Sequence, residues 1–407
     1  MSTASLAGLV PLILDKPTSL DKRADRERVE DGLSGAGVEA PVDMPPDLLK
    51  DLPRSLREHD FSITPVVGHT RDRRKLVSLN GRASYGVAVD VGTTNIVASL
   101  FDMRGGQKLG LYENENPQIA AGADVLSRAH LAMAGKGDDL HNLLMRGVNE
   151  TLQGLCRAHG IGCKDVHAAV FAGNTIMSHF LLGLPVDTIP VEPYIPVVNR
   201  MDFTEPREIG LDIHRHGIVY IFPNTGSYVG GDIVSGILST GLHKMKKTSM
   251  LVDVGTNAEI VLGCEDWLMV GAGAAGPALE GGVSGIGMRA AEGAIYGVGI
   301  EKKGEGGVEV KLRTLGDKEP KGLCGSGMIE LIAELYRSGM IDPQGRLTGI
   351  SGRIREIDGR RAFVVYESGD RILAMKDTDI ENFLRSKAAM FASLYVMVKS
   401  VGLGFRE

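Results

Sequence analysis

"VAVDVGTTNIVASLF" (Val87 to Phe101) and "LVDVGTNAEIVLG" (Leu251 to Gly263) are nearly one phrase, repeated 163 positions further on. In both, an apolar strand ends in Asp, then Val-Gly-Thr, then Thr-Asn or Asn, and a second strand leaves at once. A bare Gly lets backbone N–H groups approach an anion, and the adjacent Thr and Asn side chains add donors, so each turn can nest phosphate oxygens. The Asp at the strand's end can hold the water shell of a magnesium ion, which dehydrates reluctantly and prefers a carboxylate plus phosphates. A single copy would pass for an ordinary hairpin connector. Two copies at equivalent places predict two facing loops that clamp a triphosphate: Gly92, Thr93, Thr94 and Asn95 in one, Gly255, Thr256 and Asn257 in the other. Asp90 and Asp253 are then the candidate carboxylates near magnesium.

Around each phrase the chain repeats itself more broadly. "YGVAVDVG", "NIVASLFD" and "KLGLYENEN" read as three successive strands, followed by helices near Gly122 to Met133 and Asp139 to His159. A strand at Val166 to Ala172, a helix from Thr175, a strand at Ile218 to Phe222 and a helix at Val229 to Leu242 complete the first pass. "SMLVDVG", "NAEIVLG" and "DWLMVGA" restart it, with helices at Ser326 to Ser338 and Asp377 to Val401 and two hairpin-like insertions, about 299–314 and 350–373. Three strands followed by strands and helices, twice over, predict a duplicated α/β fold with lobes at 83–247 and 248–407. Residues 1–82 form a separate small α/β unit: a strand in "SLAGLVPLIL", helices near Leu20 to Leu33 and Pro46 to Glu58, and strands near Phe61 to Val67 and Lys75 to Asn80. Lacking any cluster of catalytic side chains, it reads as a linker or dimerisation domain, and a homodimer is expected.

The 407 residues, 43% hydrophobic and 24% charged with a formal net charge of −6, allow two or three domains and leave no basic face for nucleic acid. The run Arg71 to Lys75 is broken by Asp72 and reads as a solvated hairpin turn. No apolar run approaches the ~18 residues of a membrane span, so no membrane partner is expected and a cytoplasmic placement is. Cys156, Cys163, Cys264 and Cys324 have no ligand spacing. The 54 glycines cluster in short loops at the ends of apolar runs, where backbone meets a ligand or turns tightly.

The pair "DVGTT" and "DVGTN" resembles the phosphate motifs of the actin, sugar-kinase and heat-shock-chaperone ATPase superfamily, whose two ribonuclease H-like lobes close on Mg-ATP. In "YVGGDIVSGILSTGL", Gly230, Gly231 and Asp232 open a helix 21 residues ahead of Asp253, similar to that superfamily's connecting helix. The resemblance implies that Asp232 orients the attacking water, with Asp90, Asp232 and Asp253 around magnesium. For Asp232 alone, a carboxylate favoured by the helix dipole would be sufficient explanation.

"VFAGNTIMSHFLLGLP" (Val170 to Pro185), "GPALEGG" (Gly276 to Gly282) with "GMRAAEGAI" (Gly287 to Ile295), and "PKGLCGSGMIELIAELYRSGMID" (Pro320 to Asp342) narrow this further. In this order they resemble the ATP-dependent reductive activators of corrinoid proteins, over the whole chain. The resemblance implies an ATP-driven delivery of a low-potential electron to a cobalt(II) corrinoid protein, returning it to cobalt(I), with ATP and Mg2+ bound and a separate electron donor. Asn174, Gly276, Glu280, Gly325, Ser326 and Gly327 join the nucleotide candidates. Asn174 could equally be a helix cap, Glu280 could cap a turn, and "CGSG" could be a plain loop. The 2Fe-2S cluster expected in the family finds no ligands here, since no C-x4-C-x2-C run occurs. The superfamily's adenosine motif would follow "SVGLGFRE", so a second lobe incomplete at its C-terminus is also expected. Two further readings remain open: a small-molecule kinase of the same superfamily, or a non-enzymatic module gated by nucleotide.

Overall fold

The computed structural model describes residues 5–39, 41–122, 124–255, 258–273, 284–288, 290–303, 307–348 and 351–404. The chain divides into two compact units, Met1–Ser239 and Thr240–Glu407.

The first unit opens with strands β1 (Ala7–Leu9) and β2 (Leu12–Ile13), helix α1 (Asp25–Gly35), β3 (Val42–Asp43), α2 (Pro46–Glu58), β4 (Ser62–Ile63), β5 (Val66–His69) and β6 (Arg74–Ser78). They make a four-stranded sheet in the order β1-β5-β6-β3 and a ribbon of β2 with β4. The apolar run expected as one strand is two, split at Pro11, which has no N–H to offer a ladder. Helix α1 starts later than its periodicity predicts. Thr18 Oγ1 accepts from the N–H groups of Leu20 and Asp21, and Asp21 Oδ1 from that of Arg23, so these amides are committed to a turn. Val29, Leu33, Leu52, Leu56, Ile63 and Leu76 form the core beneath.

Arg71, Asp72 and Arg73 sit exposed in the turn joining β5 to β6, as their alternating charge predicts. In "HRH" at His214 to His216, by contrast, only Arg215 is exposed. His216 is buried with Nε2 2.8 Å from Asp47 Oδ2, and the rings of His214 and His167 lie 5.0 Å apart. The reason is non-local: the partner carboxylate comes from the first turn of α2, 169 residues earlier. Burial pushes both His167 and His214 down to about 4.

Next come β7 (Tyr85–Val91), β8 (Asn95–Asp102), β9 (Gln107–Glu115), α3 (Val125–Leu131), α4 (Gly137–Ala158), β10 (Val166–Ala172), α5 (Thr175–Leu181), β11 (Phe203–Thr204), β12 (Ile218–Ile221) and α6 (Gly231–Thr240). The sheet runs β11-β12-β10-β7-β8-β9, with an antiparallel meander β7-β8-β9 and parallel neighbours β7, β10 and β12. This is the ribonuclease H-like arrangement. Alternation on β8 turns Ile96, Ala98 and Leu100 into the core, where α4 presents Leu140, Leu144, Val148, Leu152 and Leu155 at helical spacing. Each such side chain contributes about 1.5–3 kcal/mol on burial. Helix α3 begins only at Val125 because Asp124 and Ser127 form a reciprocal capping box there.

The second unit contains β13 (Ser249–Val254), β14 (Ala258–Gly263) and β15 (Leu268–Gly273) as an antiparallel meander, matching the expected restart. Strands β16 (Ala294–Lys303) and β17 (Gly307–Thr314) form a hairpin, with β18 (Gly322–Leu323) parallel to β16. After α7 (Gly325–Arg337), the second insertion is a three-stranded meander rather than one hairpin: β19 (Ile354–Ile357), β20 (Arg360–Ser368) and β21 (Arg371–Lys376). The extra strand arises from the two-residue turn Asp358-Gly359, both at positive φ, which pairs Ile357 with Arg360. Helix α8 (Asp377–Ser400) closes the described chain, packing Met397 and Val398 against Ile260 and Leu262.

Candidate nucleotide-binding site

The first repeated phrase folds into a turn of four residues, 92–95, between the paired Val91 and Ile96. A Cβ on Gly92 would lie 2.5 Å from the carbonyl oxygen of Asn95, so no larger residue fits there. Three consecutive carbonyls of the turn are captured from inside the lobe. Asn116 Nδ2 donates to Gly92 O at 2.9 Å, Arg128 Nη2 to Thr93 O at 2.6 Å and the Asn116 N–H to Thr94 O at 2.8 Å. In a trans peptide the C=O and the following N–H point in opposite directions. Fixing the carbonyls of Gly92 and Thr93 inward therefore turns the N–H groups of Thr93 and Thr94 the other way, as an anion nest requires.

The side chain of Thr93 is held as well. Its Oγ1 accepts from Asn174 Nδ2 at 3.2 Å, which leaves the hydroxyl proton to donate. Asn174 is also the N-cap of α5, its Oδ1 accepting from the Met177 N–H at 2.9 Å. One side chain thus caps α5 and holds the Thr93 hydroxyl. Asn95 instead turns its amide to Glu113 Oε1, 2.6 Å away on β9. Asp90 is exposed at the end of β7.

Gly230 and Gly231 make close approach possible on the neighbouring strand end. A Cβ on Gly230 would overlap Asn174 Cα and come 2.5 Å from Gly173 O; one on Gly231 would lie 2.7 Å from Phe222 Cβ. The Asp232 N–H reaches Gly173 O at 3.3 Å, and Asp232 Oδ1 accepts from the Ile233 N–H at 2.8 Å. The structure therefore brings Gly92, Thr93, Asn174, Gly230, Gly231 and Asp232 together at the carboxyl ends of β7, β10 and β12, where open α/β sheets bind ligands.

In the second unit Asp253 is exposed at the end of β13, opposite Glu259, and Gly255 follows the pair Val254 with Ala258. Thr256, Asn257, Gly276 and Glu280 lie outside the described residues. Gly325 and Ser326 begin α7 at the surface, whereas Gly327 is buried directly under the carbonyl of Ile295, which leaves no room for a Cβ. Cys324, the N-cap of α7, is buried with Sγ 3.3 Å from Ile295 O, as a small structural residue.

Sequence reasoning missed Arg128, Asn116 and Gln118. All three are buried: Arg128 Nε donates to Gly122 O at 2.8 Å and Nη1 to Gln118 Oε1 at 3.1 Å. No local signal marked Arg128, which shares its helix "VLSRAHL" with the polar Ser127 and His130 and meets Thr93 from 35 residues away.

Fold and loops define an α/β chain of the actin, sugar-kinase and heat-shock-chaperone ATPase superfamily. Three family models match it end to end: the RACo linker region over residues 2–83, the RACo middle region over 85–245, and the C-terminal domain of RACo, the ASKHA domain, over 247–407. A solved structure titled as a reductive activator for a corrinoid, iron–sulfur protein superposes with a TM-score of 0.90 at 38% identity, covering 99% of this chain and 65% of that one. The corrinoid activation enzyme RamQ of Eubacterium limosum is 30% identical over 338 residues, 78% of this chain and 55% of the relative. A [Co(II) methylated amine-specific corrinoid protein] reductase of Methanosarcina barkeri is 24% identical over 298 residues, 65% of this chain and 54% of the relative. The chain thus spans about half the length of the curated relatives it matches. By its three consecutive domains it belongs to the RACo family.

Proposed function

We propose that this chain is the ATP-hydrolysing part of a reductive activator, which couples nucleotide turnover to one-electron reduction of a cobalt(II) corrinoid protein. The observation that carries the reading is the braced turn at 92–95, in a chain whose domains match the RACo linker, middle and ASKHA models. We assign residues 1–82 to the linker and 83–247 and 248–407 to the two lobes.

In this reading the N–H groups and hydroxyls of the two repeated turns bind phosphate oxygens, with Gly325 and Ser326 contacting the nucleoside. Asp90 and Asp253, each an exposed carboxylate near the end of a strand, are the proposed ligands of a magnesium ion, which keeps several waters and takes few protein ligands beside phosphates. When bound, the ion neutralises charge on the phosphates. Asp232 orients water for in-line attack, so that hydrolysis proceeds by positioning and electrostatics without a covalent intermediate. The thiols do not fit an iron–sulfur cluster: Cys156, Cys264 and Cys324 are buried, and no clustered ligand set exists among the described residues. In this reading a low-potential donor supplies the electron.

The test mixes the protein with MgATP, a low-potential ferredoxin and a cobalt(II) corrinoid protein, and follows the cobalt(I) spectrum. Cobalt(I) is expected to accumulate only when ATP is present. Equal reduction without ATP contradicts the coupling, and a phosphorylated small molecule among the products favours the kinase alternative.

A further inference from the structure

Two arginines are shut inside the first unit. Arg28 meets a carboxylate, Asp21 Oδ2, at 2.6 Å. Arg128, 0% exposed, is held by neutral acceptors: the carbonyls of Thr93 and Gly122, the amide oxygen of Gln118 and, at 3.6 Å, Met177 Sδ. Among the described residues no carboxylate forms an ion pair with it. Burial pulls its pKa down only to about 10, so the side chain is a cation at neutral pH. A buried charge with no ion pair is costly to keep, the field of Asp124 offsets only part of that cost, and this one sits immediately behind the turn whose N–H groups face outward.

We propose that Arg128 is the positioning residue of the first phosphate loop. It pulls the Thr93 carbonyl inward, which aims the Thr94 N–H at the ligand, and its charge is completed by the polyphosphate that binds on the other side of the turn. Arg128 does not touch the nucleotide. It acts through the backbone it holds, and its field favours an anion at the site because a low-dielectric interior screens it poorly. The inference rests on the nucleotide reading above and adds the residue that makes the turn anion-selective.

Three variants separate this from a merely structural role. Arg128→Met should lower MgATP affinity about 100-fold, and Arg128→Lys, which keeps the charge and loses the planar fork, about 10-fold. In both, KM for ATP should rise while kcat stays within about threefold, as expected when the residue contributes to binding the phosphates in ground and transition states alike. Gln118→Glu supplies a directly contacting counter-ion from within, 3.1 Å from the guanidinium in the present geometry. It should retain the fold and weaken MgATP by about 10-fold while leaving adenosine, which has no phosphate, unaffected. Calorimetric titration of MgATP and adenosine reads all three. Wild-type-like MgATP affinity in Arg128→Met and Gln118→Glu overturns the inference, as does a lysine variant no better than the methionine one. Should Arg128→Met fail to fold, the Gln118→Glu titration alone decides. Failure of the wild-type protein to bind MgATP overturns the nucleotide reading itself.

Discussion

The two copies of the Asp-Val-Gly-Thr phrase share a fold but not a framework. In the first, the carrying strand β7 lies between β8 and β10, and the turn of four residues is held by Asn116, Arg128 and Asn174. In the second, β13 pairs with β14 alone among the described strands, and three residues, 255–257, separate the paired Val254 and Ala258. Met250, Val252 and Val254 of β13 are 46%, 40% and 45% exposed, whereas Val87, Val89 and Val91 of β7 are buried. One short phrase therefore specifies strand, turn and strand in both places. How firmly the first turn is held depends on residues tens of positions away.

The comparison can be broken most forcefully at the glycines of the first copy. In Gly230→Ala the new Cβ meets the backbone of Gly173 and Asn174, which cannot yield as a side-chain tip could. The expected cost is about 1–3 kcal/mol to the first unit, read from its urea midpoint, and about 100-fold in MgATP affinity if the strand ends must meet to bind phosphate. Unchanged affinity would detach residues 230–232 from the site.

Acid should act on the first unit next. His167 and His214 titrate near 6.5 unfolded and about 4 folded, because burial disfavours the imidazolium. Between these values the unfolded chain binds more protons, so stability rises with pH and is lost as pH falls from 6.5 toward 4. Each histidine contributes a slope of up to ~1.4 kcal/mol per pH unit. His167→Asn should remove part of that slope. The second unit, whose one histidine is His243, should lack it. A first unit whose midpoint is flat across this range would contradict the buried-histidine account. The smallest effect is expected of Asn174→Ala, which removes the α5 cap for about 1 kcal/mol. It also releases the Thr93 hydroxyl, for a few-fold loss of MgATP affinity.

Much of this was legible in the sequence, for identifiable reasons. The alternation in "NIVASLFD" and the repeated Asp-Val-Gly-Thr fixed strands and turns because both are local properties of the chain. Pro46 at the first turn likewise marked the start of α2 where it is found. Helix starts were misjudged at Leu20 and Gly122, where side chains of Thr18, Asp21 and Asp124 divert backbone donors into turns and caps. Arg128 and the pair of Asp47 with His216 were invisible because their partners are 35 and 169 residues distant. Nothing in a linear pattern distinguishes a charge that will be buried beside a distant carbonyl from one that stays in water.

The proposed ATP hydrolysis is tested most directly by steady-state MgATP turnover in Asp253→Asn and Asp232→Asn, measured beside their melting temperatures. The account predicts turnover reduced about 100-fold in each variant, the scale of losing one positioned catalytic group, with melting temperatures unchanged. Wild-type turnover in both variants would contradict it.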